Sequence, residues 1–413
     1  MTDLYPMLIQ PRYAERIWGG HALAERLGKS APRDQRIGES WEVYEENGVV
    51  NGVYAGRTIG DLRAEMGRTL TGHVPPADLF PLLIKLIDAQ DWLSVQVHPD
   101  DRFAQEHEGQ PYGKTECWYV IDAAPGATLT YGFTRDSSPD DYVALVAAGQ
   151  LDEILRPLPV RAGDVVYIPA GTVHAIGAGI VVYELQQTSD ITYRIYDWNR
   201  RDASGHTRAL HVDKARQVLD YHRSTRGTVR PLHKPGTGRT MLIAGPYFCL
   251  ELIEAAAARA LSTDESPVAV TALDQALVVH AGGSGEPVTL APYSSLLIPA
   301  AAGPYLLEPA APHAQTARAL VAYVPLSSAA TRADLIGRGF ADTDVDAFLT
   351  QFAPAPDLGQ AATASGDRRP APCPEGTRAA DAARSGAAGD SFLSGGRAAG
   401  QSNGDGGRGT ADG

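Results

Sequence analysis

The sequence predicts a mainly β protein in which helices are inserted between short strands. Three observations carry this reading. Leu93-Ser94-Val95-Gln96-Val97-His98 alternates with a period of two residues. Val165-Val166-Tyr167-Ile168 and Ile180-Val181-Val182-Tyr183 are β-branched runs bounded by Gly and Pro. Helical signals interrupt these runs instead of alternating with them one for one, and neither a GxGxxG nor a P-loop sequence occurs, so a parallel doubly wound sheet is not expected.

The helical insertions announce themselves by their first turns. Thr58-Ile59-Gly60-Asp61 has the form of a capping box ahead of Leu62, Met66 and Leu70. Ser138-Pro139-Asp140-Asp141 offers an N-cap, a first-turn proline and two acids ahead of Tyr142, Leu145 and Val146. A second strand-rich stretch covers about 240–326, with runs at Tyr247 to Ile253, Pro267 to Thr271, Ala276 to Ala281, Val288 to Leu290 and Ala319 to Pro325. It has no close His or carboxylate pairing, which places the chemistry in the first half. Residues 327–353 read as two short helices. Ser327 or Ser328 caps the first, Gly337 and Gly339 mark its end, and Asp342-Thr343-Asp344 opens a second carrying Val345, Phe348, Leu349 and Phe352. Residues 354–413 contain 13 Gly and only Leu358, Phe392 and Leu393 as large apolar residues, too little to offset the entropy of ordering, so a disordered tail is expected there.

Composition narrows the function. With 36 Lys plus Arg against 49 Asp plus Glu, the net charge is −13, and no long basic run exists to displace counterions from nucleic acid. At 44% hydrophobic and 21% charged the chain has the make-up of a soluble globular protein. No apolar run reaches the ~18–20 residues that cross a bilayer. The start, Met1-Thr2-Asp3-Leu4-Tyr5-Pro6, has neither a basic nor an apolar leader region, so a cytoplasmic location is expected. Cys117, Cys249 and Cys373 are too scattered for a disulfide framework or a Cys-zinc site.

Three segments carry candidate chemistry. On a strand, residues two apart share a face, so Gln96 and His98 project together. In Gly113-Lys114-Thr115-Glu116-Cys117-Trp118-Tyr119-Val120, Glu116, Trp118 and Val120 share a face, with Lys114 at its entrance. In Gly163-Asp164-Val165-Val166-Tyr167-Ile168-Pro169-Ala170-Gly171-Thr172-Val173-His174, a strand enters a Pro-Ala-Gly turn and returns with His174. The last spacing, G-x5-P-x4-H, resembles the second motif of the cupin superfamily. Gln96-Val97-His98 with Glu116 resembles a modified first motif, and Ala178 stands where that superfamily usually has Asn. Two imidazoles, one carboxylate and one amide oxygen suit a catalytic Zn²⁺, while Fe²⁺, Mn²⁺ or Co²⁺ also fit and His₂-carboxylate sets serve iron oxygenases as well.

The wider motif set selects among these. Ile17-Trp18-Gly19-Gly20, Gly38-Glu39-Ser40-Trp41-Glu42, Pro81-Leu82-Leu83-Ile84-Lys85, the Gln96 and Glu116 segments, and Asp190-Ile191-Thr192-Tyr193-Arg194-Ile195-Tyr196-Asp197 together resemble the type I mannose-6-phosphate isomerases in their short bacterial form, over roughly residues 5–325. The resemblance implies two cupin (jelly-roll β-barrel) domains: a catalytic one over 1–230 and a degenerate one over 231–326, followed by the helical segment 327–353 and the tail 354–413. It implies one Zn²⁺ per subunit on Gln96, His98, Glu116 and His174. It also implies Arg194 as a catalytic residue, with Lys85, Lys114 and Asp190 as further active-site groups. The implied reaction interconverts mannose 6-phosphate and fructose 6-phosphate through an enediol. Base catalysis by Lys85 or Lys114 and phosphate anchoring by the same side chains both stay open at this level. A metal-dependent cupin dioxygenase and a non-catalytic sugar-phosphate-binding cupin are the competing readings. The expected partner is a small sugar phosphate, without nucleic acid or membrane, acting on a monomer or weak homo-oligomer. His206 and His211 are expected to be structural, Trp18, Trp41 and Trp118 to be core, and Glu39 and Glu42 to face solvent.

Overall fold

The computed structural model describes residues 4–75, 79–198, 200–201, 205–282, 286–311 and 316–353; the predicted tail lies outside them. Four antiparallel sheets form two jelly-roll barrels. A six-stranded sheet runs in the order Arg12–Gly20, Ile37–Val43, Leu82–Ala89, Ile180–Gln187, Glu116–Ala123, Val165–Ile168. It faces a five-stranded sheet in the order Tyr193–Tyr196, Val95–Val97, His174–Ala175, Thr128–Phe133, Leu155–Pro159. Between the two lies an apolar core of Ile87, Trp118, Val120, Leu129, Val166, Ile180 and Val182.

Strand periodicity explains why one barrel has an apolar end and a polar end. Ile180 and Val182 share a face with Glu184 and Gln186, and Val120 and Trp118 share one with Glu116, so each strand passes from core to site without changing face. The opposite face of the six-stranded sheet carries Leu82, Ile84, Leu86, Tyr119, Tyr183 and Leu185. It packs on Met241, Ile243, Leu250, Ala269 and Leu320 from the second half.

In the second half, a seven-stranded sheet (Met7–Leu8, Ser295–Ile298, Val268–Ala272, Ala317–Tyr323, Cys249–Ala255, Arg239–Ala244, Leu232–His233) faces a four-stranded one (Arg259–Ser262, Pro304–Pro309, Leu277–Ala281, Val288–Leu290) around its own core. The N-terminal strand Met7–Leu8 pairs with Ser295–Ile298, so the start of the chain completes the sheet of the other half. The expected runs Tyr247 to Ile253, Pro267 to Thr271, Ala276 to Ala281, Val288 to Leu290 and Ala319 to Pro325 each overlap a strand, whereas Arg239–Ala244, Ser295–Ile298 and Pro304–Pro309 are passed over.

The helices begin where their first turns indicate. Helix Ile59–Met66 carries the full Thr58–Asp61 capping box, and Ser138 caps Pro139–Ala148 by accepting from Asp141 N. Ser327 caps Ser328–Gly337. Helix Asp342–Thr350 differs: Ala341 sits at its N-cap without a side-chain bond, and Asp342 and Asp344 act from the first turn through the helix dipole. Helices Pro139–Ala148 and Val212–Val218 cover the outer face of the five-stranded sheet through Tyr142 and Ala215. Among the described residues no helix is long and apolar enough to cross a membrane.

Candidate metal centre and active site

The site is assembled from one row of residues on each sheet. On the five-stranded sheet, Gln96 lies directly opposite His174 on one side and Arg194 on the other. Directly opposed residues point to the same face, so three neighbouring strands present Arg194, Gln96 and His174 side by side. His98 follows one strand step after Gln96 and is buried. On the six-stranded sheet, Glu116 opposes Gln186, while Trp41, Lys85, Glu184 and Trp118 form a second row across four strands.

Three buried groups converge: the ligand atoms of His98, Glu116 and His174 all lie within 4.8 Å of one another. His174 Nε2 is 3.2 Å from Glu116 Oε1, and His98 Nε2 is 3.6 Å from Glu116 Oε2. Each imidazole is oriented from behind. His98 Nδ1 donates to Ile191 O at 2.8 Å and His174 Nδ1 to Thr172 O at 2.8 Å, an assignment that leaves both Nε2 lone pairs free. Neither Nε2 has a hydrogen-bond partner among the described residues, and neither does Glu116 Oε1. Burial, with a lesser push from Lys114, holds the His98 imidazole well below its ordinary pKa; burial likewise lowers His174 to about 4. Neutral imidazoles with backbone-anchored Nδ1 atoms and unpartnered Nε2 atoms, beside a buried carboxylate, are what a divalent metal requires. The donor set therefore fits a metal, and Gln96, half-buried at the rim, can add an amide oxygen.

Cations and acids surround this triad. Lys114 Nζ is 2.9 Å from Glu116 Oε2, and both side chains are buried. Burial alone would lower the Lys114 pKa, but Glu116 and Glu184 outweigh it and the ammonium is stabilised. Lys85 Nζ lies 3.6 Å from Glu184 Oε1 and 4.0 Å from Glu39 Oε2, over the Trp41 ring at 4.5 Å from its centre. Trp118 Nε1 donates to Glu184 Oε2 at 3.0 Å, and Trp41 Nε1 to Glu39 Oε2 at 2.7 Å. Burial and Glu116 raise the Glu184 pKa. Glu39 behaves oppositely: despite burial, Lys85, Arg16 and the Trp41 indole bring it down to about 2. The half-buried Arg194 reaches Ser94 Oγ at 3.4 Å and Ala209 O at 3.2 Å. Asp190 is exposed, in the loop between Ile180–Gln187 and the Arg194 strand.

The structure brings together His98, Glu116, His174, Lys85 and Lys114 from the sequence-based set, with Gln96 and Arg194 on strands beside His174, while Asp190, expected among the active-site groups, is exposed in a loop. Sequence reasoning misjudges Glu39 and Glu42, which do not face solvent. Glu39 is buried against Lys85, and Glu42 is buried against Lys29 at 2.6 Å and Ser40 at 2.5 Å. It misses Glu184 and Gln186 altogether. The available signal was their place in phase with Ile180 and Val182 on an otherwise apolar strand. Trp18, Trp41 and Trp118 are buried in the core as expected, and the indoles of Trp41 and Trp118 also donate to Glu39 and Glu184. His211 is structural as expected: its Nδ1 accepts from Arg194 N at 3.1 Å, and its own N–H donates to Arg194 O at 2.8 Å. Cys117 is buried in the core and Cys249 is also buried and unpaired.

Comparison with known proteins gives the family and the fold. Residues 7–119 match the family model for the phosphomannose isomerase type I catalytic domain. The chain is 44% identical to a mannose-6-phosphate isomerase of Streptococcus mutans over 247 residues, covering 59% of this chain and 77% of that one. It is 46% identical to mannose-6-phosphate isomerase ManA of Bacillus subtilis over 219 residues, 52% of this chain and 68% of that one. The crystal structure of the Bacillus subtilis mannose 6-phosphate isomerase superposes with a TM-score of 0.70 at 32% identity, covering 78% of this chain and 100% of that chain. A phosphomannose isomerase variant from Salmonella typhimurium shares the fold at a TM-score of 0.63 and 15% identity, over 79% of this chain and 100% of that one.

Proposed function

The chain belongs to the type I phosphomannose isomerase family, and from that premise we propose that it interconverts D-mannose 6-phosphate and D-fructose 6-phosphate through an enediol at a bound Zn²⁺. The observation that carries this reading is the buried His98–Glu116–His174 triad, whose two Nε2 atoms and Glu116 Oε1 have no hydrogen-bond partner among the described residues, with Lys85 and Lys114 buried beside it.

In this reading His98 and His174 hold the metal through Nε2 and Glu116 through its carboxylate, with Gln96 adding its amide oxygen. When bound, the ion supplies Lewis-acid polarisation of the sugar oxygens at C1 and C2. The reaction removes the C2 proton as the C1 carbonyl becomes an enediol hydroxyl, then returns a proton to C1 as the C2 oxygen becomes the carbonyl. No external oxidant or reductant is needed. Lys85, Lys114 and Glu184 are the buried acid–base groups assigned to hold and move protons. Arg194 places a permanent cation on the face that carries Gln96 and His174, where it opposes the developing oxyanion. Asp190, exposed at the edge, is assigned to the entrance. The dianionic substrate is attracted by these local cations in spite of the acidic whole.

The test is turnover of mannose 6-phosphate to fructose 6-phosphate before chelation, after it, and after Zn²⁺ is restored. Activity lost on chelation and recovered with Zn²⁺ is expected. A chain that is inactive with metal bound, or active after complete metal removal, refutes the reading. Oxygen uptake with Fe²⁺ would replace it by an oxygenase.

A further inference from the structure

The Lys114–Glu116 pair is flanked by a hydrogen-bond relay made by the segment that follows His98 and the end of strand Ile180–Gln187. Gly113 and Lys114 lie flat against the segment following His98: Lys114 N donates to Pro99 O at 3.0 Å, and a Cβ on Gly113 would come within 2.5 Å of that same oxygen. Beyond this contact the segment is gripped by two side chains. Asp101 Oδ1 accepts from Gly113 N at 2.8 Å and from Gln187 Nε2 at 2.9 Å, while Gln187 Oε1 accepts from Thr115 N at 2.9 Å. The Gln187 backbone N–H also donates to Thr115 O at 3.1 Å.

We propose that Asp101 and Gln187 are positioning residues of the active site, through which the segment after His98 and the end of strand Ile180–Gln187 fix Lys114 and Glu116 against the metal centre. The chemistry of each residue matches its place. Asp101 Oδ1 accepts from two donors at once, Gly113 N and Gln187 Nε2, which a carboxylate oxygen does through its lone pairs. Gln187 must accept from Thr115 N and donate to Asp101 at once, which an amide does and a carboxylate does not. With the Gln187 side chain almost fully buried, the loss of either bond leaves a polar group unsatisfied beneath the Lys114 segment. The relay acts on the flanks of Lys114 and one residue before Glu116, so its slack would appear as misplacement of both charged groups.

This inference rests on the isomerase reading for its kinetic arm only. The experiment uses the full chain carrying Gln187→Glu, Asp101→Asn, and the two together. Gln187→Glu opposes two carboxylates and should lower kcat for mannose 6-phosphate about 10- to 100-fold, a range expected for ~1 Å misplacement of catalytic groups. Asp101→Asn combined with Gln187→Glu restores a donor–acceptor pair with its direction reversed, and should return kcat to within about fivefold of the parent. Co²⁺ titration of the metal-free chain provides the arm independent of turnover: affinity should fall in Gln187→Glu and recover in the double variant. A double variant no better than Gln187→Glu in both arms, or unchanged kcat and Co²⁺ affinity in Gln187→Glu, overturns the proposal. Recovery of Co²⁺ affinity in a chain that never turns over mannose 6-phosphate would uphold the relay and refute the substrate.

Discussion

His174 Nε2 stands 3.2 Å from Glu116 Oε1, both atoms are buried, and neither has a hydrogen-bond partner among the described residues. Two buried acceptors this close repel unless something positive lies between them. His174→Ala is therefore expected to weaken metal binding at least about 100-fold while leaving the barrel folded. Competition against a chromophoric chelator at neutral pH measures the affinity, and circular dichroism checks the fold. Metal affinity within about threefold of the parent would remove His174 from the ligand set.

Lys85 lies between Glu39 and Glu184, over the face of Trp41. Methionine fills similar space without charge, so Lys85→Met separates packing from electrostatics. We expect kcat to fall by about 100-fold or more, with metal content equal to the parent by elemental analysis. A fall in KM affinity with kcat preserved would instead make Lys85 an anchor.

Glu251 sits almost fully buried in the second barrel between Arg239 at 2.9 Å and Arg338 at 3.0 Å. Burial alone would raise its pKa, but the two guanidiniums outweigh that and hold it below the ordinary carboxylate range. A carboxylate with a depressed folded pKa contributes stability that is fully present above its unfolded pKa and is lost as pH falls through the folded one. Glu251→Gln should thus destabilise the protein at pH 7 by about 3 kcal/mol, because two arginines lose their buried partner. The gap in Tm between parent and variant should narrow as pH drops below about 4, measured by thermal melts from pH 7 to 3. A constant gap would show that Glu251 carries no such linkage.

The caps of the insertions offer a control away from the chemistry. Thr58 receives Asp61 N at 3.0 Å and returns its own N–H to the Asp61 side chain at 3.0 Å. Thr58→Ala should cost about 1 kcal/mol and lower Tm by about 2 °C with kcat unchanged. A cost under about 0.2 kcal/mol would mean that this helix end is held by packing alone.

The metal centre was legible in the sequence because its geometry is local. Gln96 and His98 sit two residues apart on a strand, and Glu116 follows Lys114 by the same interval. The Pro169-Ala170-Gly171 turn before His174 is also written in residue types: Gly171 takes a φ of +85°, where a side chain would be strained. Glu39, Glu184 and Gln186 were not legible, because a carboxylate or an amide on an apolar strand looks the same whether it faces water or a lysine from another strand.

The sequence by itself indicated many of the strands and the faces they share, several helix starts and four candidate metal ligands, since each depends on backbone periodicity and short-range capping. Only the tertiary structure decided that Glu39 and Glu184 flank Lys85, that Arg194 stands beside Gln96, and that Gln187 reaches Asp101. Those relationships join residues from 46 to 99 positions apart, or depend on which strand pairs with which. Pairing order is fixed by the burial of whole sheet faces, a property no short segment carries.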